Sequence, residues 1–485
     1  MNRMVYLLLF LGITLRILVL LQDRSLFLDE ANVVRNVAEK TPIEFFQPLD
    51  YQQYAPPFFM AVEKGISNLL GNTELHLRLP ILLYSIVLLL LFWRVGSALF
   101  DRPTPYLFSL ALLCFGAFFI RYSTEVKQYM SDGMIALLLL LLSLKTDRLS
   151  SNRMLLWVLV GSFAVWFSMP SVFVLATVGF YFMWSAFQQK DHPTLFKWIA
   201  IAGIWLVNFA VYYILILRND LSKDVLTDYH STYFFPILPT SFEALERFFK
   251  LSLSFFRTSV GYTILAYITG IGLFLAGCFA LRKRKGFLFL LGFPIVLCLL
   301  ASSLGYYSLI PRLTLFFLPL LLLFISFGFE FLWKLEKRWI QIPLVLLCLI
   351  TITQQKAWEY FFKPFEIEEI RPVLTQVKAN IQADDIVLIH QEAVPAVAFY
   401  QEHHANKKEF QLPNVHFMHW SESEAKLLSQ KYPNANRVWL VASHIVSDVN
   451  RQEVNAAAKA INEDYQVIES FEETGAKAIL FEKRD

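Results

Sequence analysis

Two adjacent carboxylates, Asp29 and Glu30, stand in the stretch Ser25–Asn32, read SLFLDEAN, directly after a first apolar run. Charge at the edge of a hydrophobic span needs a partner or a task. One task is general-base chemistry, in which an ionised carboxylate takes the proton of an attacking hydroxyl. The structural alternative is a pair of solvated interfacial acids, or the first-turn acids of a helix starting near Asp29, where the helix dipole favours negative charge. A second polar stretch, RYSTEVKQYMSD, supplies Arg121, Glu125, Lys127, Gln128, Tyr129 and Asp132. Arg78, Arg257 and Arg312 stand at the heads of later apolar runs. Arginine and lysine can hold a phosphate at an interface. Their structural alternative is snorkelling to lipid headgroups.

These residues are embedded in a chain built for lipid. Of its 485 residues 56% are hydrophobic and only 17% are charged, with a mean hydropathy of +0.48. Soluble domains are about one quarter charged, so the composition implies a polytopic α-helical membrane protein. A net charge of +3 gives no reason to expect a nucleic-acid partner. The four cysteines, Cys114, Cys278, Cys298 and Cys348, lie inside apolar runs, which argues against a disulfide framework. The apolar run after Met-Asn-Arg lacks a clear small-residue cleavage site and is read as a retained helix.

A transmembrane helix needs about 20 mostly apolar residues. Eleven candidates are expected, near 4–22, 79–99, 104–120, 131–146, 154–168, 170–187, 196–217, 258–281, 286–303, 312–333 and 339–354, the fifth and sixth split by a tight turn at Met169-Pro170. Basic clusters at Lys145/Arg148/Arg153, Arg282–Lys285 and Lys334/Lys337/Arg338 mark the cytoplasmic ends. The polar stretches above then share the opposite, outer side with everything after residue 355. The first outer loop carries two amphipathic patterns, Glu30–Glu39 and Pro57–Leu70, expected to lie in the interface plane, and a third is expected over Ser241–Leu253.

Two domains follow: a catalytic transmembrane domain, 1–355, and an extracytoplasmic α/β domain, 356–485. In the second, strands are expected over Asp385–His390, Arg437–Ser443 and Ala476–Glu482, and helices over Ser421–Lys431 and Ser447–Ile461, giving a partly parallel sheet. His403 and His404 have no evident third ligand and are read as surface residues, and His230 as an interface residue.

Taken together, these stretches resemble a GT-C glycosyltransferase of the protein-mannosyltransferase and aminoarabinose-transferase type, the family 39 group. LFLDEAN resembles the family's Asp-Glu pair after the first span. YAPPFFMAVEKGISNLLGNTELHLRLPILLYSI resembles its "PPL…G…RLP" stretch, RYSTEVKQYMSDGMIALLLL its second-loop "E-x-R-x-Y" region with Lys127 at the basic position, and SLIPRLTLFFLPLLLL its late "RY…LP" helix. The resemblance covers about residues 1–335. It implies Asp29 as catalytic base with Glu30 its neighbour in the motif, Glu125 orienting acceptor or base, and Arg312 and Lys127 on the donor phosphate, with Arg121, Tyr129 and Arg78 beside them. Asn32 and Pro56 stand where the aminoarabinose enzymes carry basic residues.

The implied function is an inverting transfer of a sugar from a polyprenyl-phosphate donor to a hydroxyl or phosphate of a glycan, lipid or protein acceptor at the outer face of a bacterial plasma membrane. A phosphate monoester leaving group has a second pKa of about 6, so one base and a cationic clamp suffice. No cofactor is required, and a divalent metal is compatible with the chemistry without any residue assigned to it. Successive helical residues point about 100° apart, so only one acid of the pair can face the reacting hydroxyl. Asp29 is expected to be that acid, and Glu30 to act mainly through helix-start electrostatics. The C-terminal domain is expected to assist acceptor access or stability. The alternative function, a lipid or solute transporter, requires charge near mid-span, where the apolar runs carry little.

Overall fold

The computed structural model describes residues 2–221, 230–417, 431–432 and 435–484. Among these, six helices are long and apolar enough to cross a membrane: α1 (Asn2–Leu21), a helix from Glu74 to Leu99, and those over Ser171–Gln188, His192–Leu217, Ile264–Leu281 and Lys285–Ser303. Five shorter apolar helices, Thr104–Phe115, Tyr129–Leu144, Ser151–Phe167, Leu318–Trp333 and Arg338–Thr353, fill out the bundle. The protein is a polytopic membrane protein with a small sheet domain at its C-terminal end. The turn expected at Met169-Pro170 separates two helices as read. The span expected over 104–120 is broken instead, because Gly116 is extended (φ −63°, ψ 124°) and a new short helix, Ala117–Tyr122, starts there.

One break in the bundle explains a charge that the apolar runs conceal. Arg16 lies within α1 and is fully buried. Its guanidinium donates to the carbonyls of Leu113 (2.8 Å) and Cys114 (2.9 Å), in the last turn before the Gly116 break, and to Ser85 Oγ (2.6 Å) and Gly12 O (3.0 Å). A helix end leaves its final carbonyls without intrahelical partners, and no water is at hand inside a bilayer to satisfy them. Arg16 therefore pins three helices together. Four of its five N–H groups are engaged in doing so. Elsewhere the closest helix pairing, Ile264–Leu281 on Leu318–Trp333, depends on Gly277 and Gly328. A methyl group at either would sit about 2 Å from a facing carbonyl oxygen.

The first loop folds into α2 (Leu28–Glu39) and α3 (Pro57–Leu70), matching both expected patterns. α2 buries Val33, Val34 and Val37, the apolar face read from the sequence. The helix over Glu74–Leu99, α4, follows directly, with Thr73 as its cap. The third amphipathic helix runs Phe242–Ser259, longer than expected.

The C-terminal domain holds a five-stranded mixed sheet of β1 (Ile386–Ile389), β2 (Val415–Phe417), β3 (Arg437–Ala442), β4 (Tyr465–Glu473) and β5 (Ala476–Lys483) in the order β2-β1-β3-β5-β4. β1 pairs in parallel with β2 and β3, while β5 is antiparallel to β3 and β4. The three expected strands are present. β2 has only three residues, and β4 is a largely exposed edge with no apolar alternation, so neither carries a sequence signal. The helix Asp448–Ile461 begins where read, with Ser447 accepting from Asn450 N–H (3.2 Å). A helix over Ile370–Asn380 was not expected. The helix expected over Ser421–Lys431 lies, apart from Lys431, outside the described residues.

This domain is fastened to the bundle by buried and half-buried polar groups. Ser25 donates from both N–H (3.1 Å) and Oγ (2.8 Å) to Glu369, and Arg371 pairs with Asp23 (2.9 Å) and Glu74 (3.0 Å). Tyr400 O–H donates to Glu74 (2.7 Å), and His404 Nε2 lies 3.0 Å from the same carboxylate. His404 is 5% exposed, which overturns its reading as a surface residue. Its Nδ1 accepts from Asn406 N–H (3.1 Å), so the proton sits on Nε2 and is donated to Glu74.

Candidate active site

The first turn of α2 separates the two acids, as its pitch requires. Asp29 lies at an open rim with its side chain 24% exposed, while Glu30 is wholly buried. Arg312 enters from the 3-10 turn Pro311–Thr314, which leads into the helix Leu318–Trp333. Its Nη1 lies 3.1 Å from Asp29 Oδ2, and its side chain is 26% exposed. Burial works against the Asp29 charge, but Lys127 and Arg312 outweigh it, helped by His444 and Arg121, and the carboxyl sits below its ordinary range. Asp29 is thus an ionised proton acceptor at neutral pH.

Glu30 is in a closed cage. Arg24 Nη1 (2.7 Å) and Arg78 Nη2 (2.7 Å) and Nε (3.0 Å) all donate to it, as does Val126 N–H (2.9 Å). The two guanidiniums overcome the effect of burial and hold the Glu30 carboxyl down at about 2. Arg24 also reaches Thr124 O (2.9 Å), and Arg78 reaches the carbonyls of Arg24 (2.6 Å) and Ser25 (3.0 Å). Glu30 therefore ties the second polar loop to the first. Its effect is not confined to helix-start electrostatics. Arg78, 1% exposed, is turned to Glu30.

The cage sets the loop that carries Glu125, Lys127 and Tyr129. A tight turn brings Lys127 N–H within 2.6 Å of Glu125 O. Lys127 Nζ donates to Gln53 Oε1, a partner from the first loop to which no sequence signal pointed. Glu125 is buried, and Arg121 Nε approaches its Oε2 at 3.3 Å. Burial prevails over that cation and pushes the Glu125 carboxyl above its ordinary range, so it differs from Asp29 in holding its proton more tightly. Arg121 is the more open residue, 41% exposed, with its guanidinium 5.9 Å from the Phe27 ring. Tyr129 starts the helix Tyr129–Leu144, packs edge-on against Tyr122 and lies within electrostatic reach of Arg312 and Asp29. The structure thus brings Asp29, Lys127, Arg312, Arg121, Glu125 and Tyr129 to one place, and consigns Glu30 and Arg78 to the scaffold behind it. Among the described residues no group of three or more His, Cys, Asp or Glu side chains is placed to hold a metal ion.

No protein-family model matches the sequence, and no curated protein matches it. Solved structures do. The crystal structure of ArnT from Cupriavidus metallidurans bound to undecaprenyl phosphate superposes with a TM-score of 0.55 at 12% identity, over 98% of this chain and 97% of that one. The apo form of the same enzyme covers the same shares at 13% identity with a TM-score of 0.40. From first helix to C-terminal sheet, the chain shares the fold of that undecaprenyl phosphate-bound ArnT structure.

Proposed function

We propose that the protein is an inverting glycosyltransferase that moves a sugar from a polyprenyl-phosphate donor to a hydroxyl or phosphate of an acceptor at the outer face of a bacterial plasma membrane. The observation that carries the reading is the open Asp29–Arg312 pair, 3.1 Å apart, beside Lys127 in this architecture. That a structure of the same fold is described as bound to undecaprenyl phosphate supports a lipid-linked donor. In the reaction the acceptor O–H bond breaks and its proton goes to Asp29. The oxygen attacks the anomeric carbon from the face opposite the phosphate, and the carbon–oxygen pair leaves on the polyprenyl phosphate. Arginine has five N–H donors, so Arg312 can serve a carboxylate and a phosphate together, with Lys127, held on Gln53, as a second cation. For an acceptor phosphate, which is already ionised, Asp29 acts by orientation.

The topology proposed here has all eleven apolar helices crossing in turn. The three basic clusters then share the cytoplasmic side, and the C-terminal domain lies outside with Asp29. A phosphatase reporter fused after Asp485 is expected to be active, and inactivity there would put Asp29 on the wrong face. For the reaction, purified protein is given a panel of labelled undecaprenyl-phosphate sugars with total host membrane lipid as acceptor. Consumption of one donor in a single turnover, lost in Asp29→Asn while donor binding persists, is the expected result. Transfer that survives Asp29→Asn would overturn the assignment.

A further inference from the structure

The C-terminal domain carries a site of its own construction that faces the Asp29 rim. In sheets with the parallel order β2-β1-β3, ligands bind outside the carboxyl ends of the strands where the order reverses, between β1 and β3. His390 ends β1 and Ser443-His444 ends β3. His444 is a non-glycine residue held at φ +59°, a conformation found where surrounding structure over-determines it. Its Nδ1 lies 2.6 Å from Glu368 Oε1, and Glu368 Oε2 accepts from Leu28 N–H at 3.4 Å. One buried carboxylate therefore caps the helix bearing Asp29 and orients a histidine beside it. His444 Nε2 makes no hydrogen bond among the described residues, its side chain is 27% exposed, and it lies within electrostatic reach of Asp29.

The next two residues after His444, Ile445 and Val446, line a cavity of about 560 Å³ between the bundle and the C-terminal region. Arg121 closes it on the bundle side, and Phe365, Glu366, Arg451, Glu472 and Glu473 line the other. Two cations, three carboxylates and an aromatic edge supply both donors and acceptors around an apolar wall. That mixture suits a polyhydroxylated sugar better than an anion, which would meet an excess of carboxylates.

We propose that the C-terminal domain forms half of the acceptor site: His444, set by Glu368, holds an oxygen of a sugar head group beside Asp29, and the seam cavity takes the rest of that head group. This rests on the transferase reading above and names the acceptor class for it.

The test measures, for the full-length protein, transfer from the labelled donor to total host glycolipid, slow hydrolysis of the donor by water, and binding of undecaprenyl phosphate. In His444→Ala the glycolipid needed for half-maximal transfer is expected to rise ~10-fold, the loss of one hydrogen bond to a charged or polar partner. Hydrolysis and undecaprenyl phosphate binding should stay within about twofold of wild type, since water needs no head-group site. His444→Gln, which keeps an N–H near the Nε2 position, should recover part of the loss. Arg451→Ala on the far wall should give a smaller shift of the same kind, and it carries the test if His444→Ala does not fold. Unchanged glycolipid dependence in both variants overturns the proposal, as does a parallel fall in hydrolysis and binding, which would make His444 a structural residue. Wild-type protein that consumes none of the labelled donors would instead remove the transferase reading itself.

Discussion

Asp29 and Glu30 are neighbours in sequence with the same functional group and cations around both, yet they occupy opposite kinds of site. Asp29 lies at a rim, about a quarter exposed, with one guanidinium nitrogen at 3.1 Å. Glu30 has no exposed surface and is held by two arginines and a backbone N–H. A buried carboxylate with both oxygens engaged has little left with which to meet a substrate, and breaking its ion pairs strands uncompensated charge. A partly solvated pair keeps unused lone pairs and a route for substrate, and contributes little to stability. What separates the two carboxylates here is access. The type of residue is the same in both.

The sharpest way to break that contrast is at Glu30. Glu30→Gln leaves Arg24 and Arg78 buried without their counter-charge and should lower stability by about 3–5 kcal/mol. Thermal unfolding in detergent measures it, and an unchanged Tm would make the cage ornamental. Asp29→Asn is the counterpart. It should leave Tm and donor binding near wild type while single-turnover transfer drops by ~10² or more, the scale of a lost general base. A variant that loses Tm and keeps transfer would reverse the two assignments.

Arg312→Ala should come next. Removing a charge-assisted bond to a phosphate weakens donor binding by ~10-fold or more, with Arg312→Lys recovering only part because the planar fork is gone. Donor titration decides it, and an unchanged apparent affinity would leave Arg312 a partner of Asp29 alone. The smallest effect concerns acid. The Glu30 carboxyl is depressed from 4.5 to about 2, so its stabilising contribution is complete above about 4.5 and is lost as pH falls toward about 2. Stability measured across that window should fall less steeply in Glu30→Gln than in wild type. Parallel curves would mean that another group carries the acid limb.

Much of the architecture was legible from local pattern. Apolar runs of membrane length, α2 with its three valines, and the turn at Met169-Pro170 are sums over adjacent residues, and most helices formed near where those sums predicted them, the broken 104–120 run excepted. Where pattern was silent, the element lacked a local signature: β2 has three residues, and β4 is an exposed edge. His404 looked like a surface residue because its partner, Glu74, is 330 residues away. The likeness of the LFLDEAN and RYSTEVKQYMSD stretches to known motifs gathered the candidate residues but could not sort them.

By itself, then, the sequence determined that this is a membrane bundle with a C-terminal sheet domain, and that acids and bases stand together at the ends of its apolar runs. Burial of apolar surface is set by composition and period, which are local. Only the tertiary structure decided that Asp29 is open and Glu30 closed, that Arg78 belongs to the cage, and that His444 from the far end of the chain stands beside the first loop. Each of those outcomes depends on groups separated by tens to hundreds of residues, such as Arg78 and Glu30 at 48 or Val126 and Glu30 at 96. The strength of a charge pair depends on distance and burial in space, and neither is set by the spacing of its members along the chain.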